Sequence, residues 1–408
     1  MDHDSRVLRI ARLLRSLDFE TSVLGVVSWT EKRQLTEYDG IPIRRISPTS
    51  RLAWLVYRQA SVLRPKAPST PGEPRPGRSS GGPAASPIRG PLRRLARFGA
   101  TLAYYRRAIA FVRAIRPDLV HCNDYNTMWI GLAARYLAGS VVVYDSHELW
   151  PDRNLRPEPR WWLMLCEALF VRVADRVVTT SPAYAELMAR RYRIPAPTVV
   201  RNIPAQGRRA SRDGSSSATS DGLVTYVGGL QPNRGLEPAI RAIAGLEEVR
   251  LRLLGPALPE YRARLERLVD EEGVAERVDF AAPVAPADVL EALDGAALGL
   301  ALIQPACLSY RLTLPNKLFE YTLAGVPILG SNLPMITRFV HEHGVDRLAD
   351  DVGAVAAAIG SMLVPGANAG YRERAAQAAE RLDPEKELAI LAGVYREAGR
   401  ARGRLADI

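Results

Sequence analysis

An α/β fold of two parallel-sheet domains joined by a linker is predicted by three features of this 408-residue chain. Short apolar, β-branched runs alternate with helix-periodic segments along most of the sequence, which is typical of βαβ units and parallel sheets. A stretch at 206–221 with the composition of a flexible linker divides the strands into two sets. The length also exceeds what a single hydrophobic core usually serves.

The first set of strands predicts a domain over 1–204. Its strands are expected at 21–27, 119–122, 141–144, 176–180 and 198–201, with helices at 132–137 and 183–190. Residues 65–91 are rich in Pro, Gly, Ser and Arg and offer almost nothing apolar to bury, so we predict a disordered basic insertion there.

The start of this domain departs from the usual pattern. A doubly wound domain normally opens with an apolar strand and a glycine turn, whereas this chain begins directly with Met1-Asp-His-Asp. We expect either that the natural start lies upstream, which is the favoured explanation, or that the first strand has been lost.

The second set of strands predicts a linker over 205–221 and a second domain over 222–385. Its strands are expected at 223–227, 249–254, 278–281, 298–302 and 326–329, with helices at 237–245, 261–271 and 287–293. Residues 386–408 are expected to form a C-terminal helix that packs back on the first domain.

The composition is that of a folded soluble protein, with 47% apolar and 24% charged residues. No apolar run approaches the roughly 18 residues that span a bilayer, and no apolar signal segment opens the chain. Cys122, Cys166 and Cys307 are scattered and lack metal-ligand spacing. They are therefore expected to be buried thiols in a reducing cytoplasm, and the Arg- and Ala-rich composition is typical of a high-GC bacterium.

The net charge of +11 is concentrated in one segment, because 51–113 holds thirteen Arg or Lys residues and a single acid. Apolar residues recur there at three- and four-residue steps, with the arginines largely off that stripe. The stripe comprises Leu92, Leu95, Phe98, Leu102, Tyr105, Ile109 and Val112. Such a helix packs on its own sheet or docks on an anionic membrane surface. No nucleic-acid-binding motif accompanies the charge, so nucleic acid is not an expected partner.

Polar residues follow several of the predicted strands. In open parallel sheets, ligands bind beyond the carboxyl ends of the strands. Asn123 and Asp124 follow the strand at 119–122, residues 145–148 (DSHE) follow the strand at 141–144, and Gly228 and Gly229 follow the strand at 223–227. These positions predict a ligand cleft between the two sheets.

The most specific motif is LPNKLFEYTLAGVPILGS at 314–331. Pro315 and Asn316 suit the start of a helix, which places Lys317 in its first turn. Exposed backbone N–H groups, the positive end of the helix and a lysine together form a cradle for a diphosphate. Glu320 lies three residues later on the same face, where its carboxylate can accept hydrogen bonds from ribose hydroxyls.

These residues resemble the nucleotide-binding segment of the family-4 retaining glycosyltransferases of the GT-B fold. The stretch YVGGLQPNRGLE at 226–237 is similar to the first turn of that family's C-terminal domain. Further similar segments occur in the family's order at 4–9, 117–124, 144–149 and 199–204. The resemblance covers nearly the whole chain and implies two Rossmann-like domains whose parallel sheets face each other across a cleft.

The resemblance also implies roles for residues of the donor site. Arg234 and Lys317 would bind the donor diphosphate, and Glu320 would bind the nucleotide ribose. Asn316 lies at the start of the same helix, and Gly228 and Gly229 let their loop approach the donor closely.

On the acceptor side, the candidate catalytic residues are His121, His147 and Glu148. A lone histidine at a strand end has a structural role more often than a catalytic one. The acidic pair Asp350 and Asp351 and the segment Asp2-His3-Asp4 are expected to be solvated termini or helix caps, so no metal site is predicted.

Two positions depart from the family's pattern. Many members carry a second glutamate eight residues before the ribose-binding one, where this chain has Leu312. That substitution leaves the contact to the donor sugar unassigned. Relatives often have arginine at the position of Gly229, which leaves more of the phosphate binding to Arg234.

The predicted function is sugar transfer from a UDP- or GDP-linked donor to a glycan or lipid-linked acceptor in cell-surface polysaccharide or glycoconjugate synthesis. The resemblance implies retention of anomeric configuration without a metal ion or cofactor. The enzyme is expected in the cytoplasm, with peripheral association at the inner face of the plasma membrane. Two alternatives remain open at this point, a catalytically weak GT-B scaffold or regulatory subunit and a UDP-sugar epimerase.

Overall fold

The computed structural model describes residues 5–26, 35–46, 89–154, 156–204, 222–343, 346–349 and 351–403. Two α/β domains account for them, which confirms the predicted fold class. Residues 1–4, the linker at 205–221 and residues 65–88 of the predicted insertion lie outside the described residues. Residues 89–91 begin a helix, so the prediction of disorder is wrong for them.

The first domain is centred on four parallel strands that follow one another in sequence order. Its helices are α1 (Ser5–Ser16), α2 (Arg89–Ile115), α3 (Asp124–Ala133), α4 (Arg160–Val173) and α5 (Pro182–Tyr192). Its strands are β1 (Val23–Val26), β2 (Leu35–Tyr38), β3 (Ile41–Ile46), β4 (Leu119–Asn123), β5 (Val141–Ser146), β6 (Arg176–Thr179) and β7 (Thr198–Val199). Strands β4 to β7 form one parallel sheet, whereas β3 pairs with β1 in parallel and with β2 antiparallel in a separate sheet.

The second domain contains a six-stranded parallel sheet in the order β10-β9-β8-β11-β12-β13. These strands are β8 (Leu223–Val227), β9 (Arg250–Leu254), β10 (Val278–Ala281), β11 (Leu298–Ala301), β12 (Ile328–Ser331) and β13 (Asp346–Ala349). The helices are α6 (Leu236–Ala244), α7 (Pro259–Glu271), α8 (Val289–Ala292), α9 (Leu308–Arg311), α10 (Asn316–Leu323), α11 (Pro334–His343), α12 (Val352–Leu363), α13 (Pro365–Ala379) and α14 (Pro384–Arg400).

The strand order of this sheet reverses at β8, which lies between β9 and β11. A reversal of this kind opens a crevice beyond the carboxyl ends of the two central strands, because the helices that follow them go to opposite faces. The loops after β8 and β11 therefore border this crevice.

The last helix, α14, packs on the sheet of the first domain. Leu391, Val394, Tyr395 and Ala398 form one buried cluster with residues of β5 and α1, including Val143. The chain thus returns to the first domain after it completes the second.

The sequence prediction differs from the structure in several elements. Strands β2, β3 and β13 were not predicted, and strand β12 begins two residues later than expected. The helix predicted at 132–137 is the end of α3 followed by a π turn at Ala134–Ala138, and the helix predicted at 287–293 is only the single turn α8.

Helix α2 does not bury the whole predicted apolar stripe. Its buried residues are Ala100, Ala108 and Val112, which face the interior of the domain. Phe98 and Leu102 are exposed by 67% and 53%, although the sequence pattern assigns them to the stripe. Small alanines let the helix approach α3 closely, a packing feature that a search for large apolar residues overlooks.

Within the described residues, no single helix is long and apolar enough to cross a bilayer. One pair of segments, 353–363 and 365–400, reaches the required length and composition only together and is bent by 89° between them.

Candidate functional site

The second domain holds an unpaired lysine at the strand reversal. Lys317 lies in the first turn of α10, and its side chain is buried among protein atoms. Its Nζ lies 3.4 Å from the centroid of the Tyr226 ring and makes no hydrogen bond to any described residue. Because a buried polar group without a hydrogen-bond partner is costly, Lys317 is a candidate to bind an anionic ligand.

Electrostatics support the same conclusion. Burial lowers the pKa of Lys317 well below its ordinary value, and the neighbouring Arg234 adds to that shift while Glu320 opposes it. An anion bound beside both cations would reverse the effect, because an opposite charge favours the protonated amine.

Arg234 reaches the crevice from the loop after β8. Its guanidinium lies 4.6 Å from the centroid of the Tyr310 ring. The neighbouring Asn233 and Gly235 both take positive φ, at 65° and 76°, so the chain turns sharply around the arginine. A Cβ atom at Gly235 would lie 2.2 Å from the backbone oxygen of Leu302, just beyond β11, so this position requires glycine.

Gly228 lies beside Lys317 in a backbone conformation that favours glycine. It has φ of 121°, and its backbone N–H donates to the oxygen of Leu254 at 3.0 Å. A Cβ atom at Gly228 would lie 3.7 Å from the Nζ of Lys317. At Gly229 the backbone oxygen accepts a hydrogen bond of 2.9 Å from the Tyr226 hydroxyl, which fixes the ring beneath the lysine.

Glu320 and Asn316 complete the predicted donor set. Asn316 is the exposed first residue of α10, and Glu320 lies one turn further along. Burial raises the pKa of Glu320 to about 7, against the opposing charges of Lys317 and of Arg9. Arg9 belongs to α1 of the first domain, so the charge of that domain acts on Glu320.

In the first domain, a second charged cluster surrounds Asp145 at the end of β5. The Nε and Nη2 atoms of Arg6 donate to its two oxygens at 2.8 and 2.9 Å. Burial raises the pKa of Asp145, but Arg6, His147 and His121 outweigh it and hold that pKa well below its usual range. Asp145 is therefore a fixed buried anion around which the two histidines are arranged.

His121 has both ring nitrogens in contact with protein groups. Its Nε2 lies 3.2 Å from Asp145 Oδ2, and its Nδ1 lies 2.9 Å from the hydroxyl of Tyr395 on α14. Its side chain is 4% exposed, and burial lowers its pKa despite the Asp145 carboxylate. This geometry suits a neutral imidazole that donates to Asp145 and accepts from Tyr395, so no nitrogen remains for an acceptor hydroxyl.

His147 is the more accessible histidine, with its side chain 18% exposed. Its ring lies 3.3 Å from an oxygen of Asp145 and 3.8 Å from one of Asp124. Burial lowers the pKa of His147, but these two carboxylates outweigh it and the net shift is upward. The ring is consequently suited to donate a hydrogen bond as an imidazolium.

Glu148 forms an ion pair of 2.6 Å with Arg153. The structure thus brings His121 and His147 together around Asp145, and Lys317, Arg234, Glu320 and the two glycines together at the strand reversal. No described group of three or more His, Cys, Asp or Glu side chains is arranged to hold a metal ion. The catalytic and binding roles assigned to these residues remain predictions.

Leu312 lies where many relatives carry a glutamate. Its backbone oxygen accepts a hydrogen bond of 3.0 Å from Ser181 Oγ, and its side chain packs on the apolar cluster of the first domain. Nearby, the Tyr184 hydroxyl donates to the oxygen of Ser309 at 2.7 Å. This position therefore takes part in the contact between the domains.

Four side chains in these clusters were not assigned roles from the sequence. Tyr226 and Tyr310 support the two cations, whereas Arg6 and Tyr395 hold Asp145 and His121. Arg6 lies in a segment that resembles the family, which was a usable signal. Tyr395 is 274 residues from His121 and carries no local motif, so only the fold reveals its contact.

Comparison with known proteins relates both halves of the chain to one family. Residues 4–203 match the family model described as a glycosyl transferase 4-like domain, and residues 221–364 match the one described as glycosyl transferases group 1. A similar relative is the D-inositol 3-phosphate glycosyltransferase of Acidothermus cellulolyticus, 28% identical over 331 residues that cover 73% of this chain and 72% of the relative. The protein of that name from Mycolicibacterium paratuberculosis is 28% identical over 64% of this chain and 62% of its own length.

Solved structures share the architecture. Sucrose-phosphate synthase from Thermosynechococcus elongatus aligns with a TM-score of 0.71 over 97% of this chain and 93% of that chain, at 18% identity. HepE from Anabaena, in complex with UDP and glucose, aligns with a TM-score of 0.57 over 76% of this chain and 84% of its own, also at 18% identity. These likenesses confirm the predicted GT-B fold, and the family models confirm the resemblance drawn from the sequence motifs.

Proposed function

Because the chain belongs to the group 1 glycosyltransferases of the GT-B fold, we propose that it transfers a sugar from a nucleoside-diphosphate donor bound at the β8–β11 crevice. The observation that supports this most strongly is the buried, unpaired Nζ of Lys317 beside Arg234. Among the described residues neither cation forms an ion pair with a carboxylate, and two adjacent cations beside a glycine turn suit a diphosphate. The proposed donor base is uracil, since HepE binds UDP in its solved complexes, and GDP is the alternative to test.

In the proposed reaction, the bond between the anomeric carbon and the diphosphate oxygen breaks while a bond forms from the acceptor oxygen to that carbon. Lys317 and Arg234 stabilise the negative charge that develops on the leaving diphosphate. The acceptor proton passes to a phosphate oxygen of the leaving group, and the new bond forms on the same face of the sugar. This scheme gives retention and requires neither a strong protein base nor a metal ion.

The residues of the first domain receive different roles in this proposal. His147 is accessible and its protonated form is favoured, so it is proposed to donate a hydrogen bond to a substrate oxygen. His121 is proposed as a positioning residue, because its contacts to Asp145 and Tyr395 use both ring nitrogens. Glu148, held by Arg153, would orient the acceptor loop.

The acceptor is proposed to be a glycan or lipid-linked sugar in cell-surface synthesis at the inner face of a bacterial plasma membrane. The names of the curated relatives add D-inositol 3-phosphate as a defined soluble acceptor to assay. Both acceptors present a hydroxyl group to the same anomeric carbon, so the donor site argued above serves either one.

Calorimetric titration with UDP, GDP and ADP tests the donor site. We expect one diphosphate to bind the wild type, and Lys317→Ala to lose that binding, whereas Lys386→Ala, which changes an exposed lysine on α14, keeps it. Absence of binding by all three diphosphates would overturn the proposed donor site.

Product analysis with the matching sugar nucleotide then separates the reaction classes. A labelled disaccharide or glycolipid supports transfer. Diphosphate binding without product, with every acceptor class tried, would instead favour the scaffold alternative, and an epimerised donor would favour the isomerase alternative.

A further inference from the structure

The first domain exposes an apolar surface that neither its core nor the proposed transfer reaction uses. Helix α4 buries one side against the domain and presents the other to solvent. Trp161, Trp162, Leu165 and Leu169 are exposed by 67%, 43%, 59% and 45%. Because residues four apart lie on one face of a helix, these side chains form a continuous stripe about 12 Å long. A cluster of large exposed apolar residues marks an interaction surface.

Helix α2 shows the same arrangement. Phe98 and Leu102 are exposed, and they lie on the side opposite the buried Ala100. Arg106 and Arg113 follow at positions that fall on the same face and are also exposed. The helix contains seven arginines and no acidic residue.

Both helices belong to one layer, because each packs against α3. Strands β4, β5 and β6 are parallel and adjacent in sequence order, so their right-handed connections α3 and α4 lie on one side of the sheet. The exposed faces of α2 and α4 together are called the basic-apolar surface. On α2 this surface comprises Phe98, Leu102, Arg106 and Arg113, and on α4 it comprises Trp161, Trp162, Leu165, Leu169 and Arg172.

The charged side chains of the two helices indicate which kind of partner binds the basic-apolar surface. The single acid of α4, Glu167, is fully buried, where it accepts hydrogen bonds from Tyr144 and Tyr192. Arg172 is exposed at the end of the tryptophan stripe. Neither helix therefore presents an acidic side chain to solvent. Arginines combined with tryptophan and leucine, without acids, match the interface of an anionic bilayer, where indole rings lie at headgroup level and cations meet lipid phosphates.

We propose that the basic-apolar surface docks the protein on an anionic lipid bilayer. The turn at Trp150–Asp152, which precedes α4, contacts α9 at the rim between the domains. Docking through α4 would therefore hold this rim near the headgroups. The purpose of docking rests on the proposed function, since it would bring the cleft to a lipid-linked acceptor, whereas the docking itself does not depend on it.

Vesicle flotation of the full-length protein tests the proposal. We expect binding to vesicles of phosphatidylcholine with phosphatidylglycerol, and weaker binding to phosphatidylcholine alone. The double variant Trp161→Ser/Trp162→Ser should weaken binding about tenfold or more, because it removes two large apolar groups from the interface. The matched control Leu258→Ser/Val364→Ser changes two side chains of the second domain, exposed by 72% and 55%, and should bind as the wild type does.

Charge-reversal variants provide a second test of docking on the bilayer. The double variant Arg106→Glu/Arg113→Glu should bind the anionic vesicles more weakly, and its binding should depend less on salt concentration. Arg267→Glu changes an exposed arginine on α7 and should have neither effect. Wild-type protein that stays unbound, or tryptophan variants that bind normally, would overturn the proposal.

Sedimentation velocity and diphosphate titration separate the remaining outcomes. A dimer that depends on Trp161 and Trp162, without vesicle binding, would assign the surface to a second copy of the chain and overturn docking on lipid. Diphosphate titration of the same variants should match the wild type. If vesicles bind but no diphosphate does, the proposed function fails and the docking surface stands.

Discussion

Replacing Lys317 by methionine should change stability and donor binding in opposite directions. Methionine has a similar length, can lie on the Tyr226 ring as the lysine does, and carries no charge. Burying an unpaired polar group costs about 1–3 kcal/mol, and the substitution removes that cost from the unliganded protein. Its melting temperature should therefore rise by a few degrees, at about 2–4 °C per kcal/mol for domains of this size.

Donor binding should weaken in the same variant. Removing one partner of a buried, hydrogen-bonded charge pair costs about 2–4 kcal/mol, or about 30- to 700-fold in affinity. Calorimetry with UDP and thermal unfolding with and without UDP measure both quantities. The exposed Lys386→Met variant should leave both unchanged. A lower melting temperature for Lys317→Met together with unchanged UDP affinity would refute the assignment of Lys317 to the phosphate site.

The pH dependence of the wild type follows from the same lysine. Its pKa is lower in the folded protein than in the unfolded chain, so the unfolded chain binds more protons between the two values. The unliganded protein should therefore gain stability as pH rises through that interval, up to about 10.4, the ordinary pKa of lysine. Binding of UDP should take up as much as about one proton there, which titrations in buffers of different ionisation enthalpy would detect.

Three further substitutions test separate parts of the structure. Tyr226→Leu removes the ring under Lys317 and should weaken UDP binding about 2- to 30-fold. Tyr226→Phe keeps the ring and should bind UDP more nearly as the wild type does. Equal losses of UDP affinity in the two variants would contradict a role for the ring. Tyr395→Phe removes the contact with His121 Nδ1 and should lower the free energy of unfolding by about 1–3 kcal/mol without changing UDP affinity. A large loss of UDP affinity would instead place Tyr395 in the donor site. Gly235→Ala places a Cβ atom 2.2 Å from the Leu302 oxygen and should destabilise the protein and weaken UDP binding, whereas Gly245→Ala, whose Cβ atom would have its nearest neighbour at 3.9 Å, should do neither.

Prediction from the sequence succeeded where local pattern determines structure. The buried strand β5 reads as a run of β-branched residues and β8 has the predicted bounds, because parallel strands covered on both faces are almost continuously apolar. The partly exposed edge strand β10 also has the predicted bounds. The motif at 314–331 identified Lys317 in the first turn of α10, since proline and asparagine mark a helix start.

The remaining features depend on contacts between distant residues. Strand β3 contains Pro42 and two arginines and is defined by pairing with β1, so its own sequence gives little strand signal. The Tyr395–His121 contact joins α14 to β4, and Leu312 lies in the contact between the domains rather than at an open position. These contacts become visible only once the two sheets and the returning helix are placed together.

A donor diphosphate is proposed to bind between Lys317 and Arg234 at the β8–β11 crevice. A crystal structure of the wild type with UDP tests this most directly. We predict a diphosphate oxygen about 2.7–2.9 Å from the Nζ of Lys317, with the ribose hydroxyls at Glu320. UDP bound elsewhere, or a diphosphate that leaves Lys317 without a partner, would contradict it.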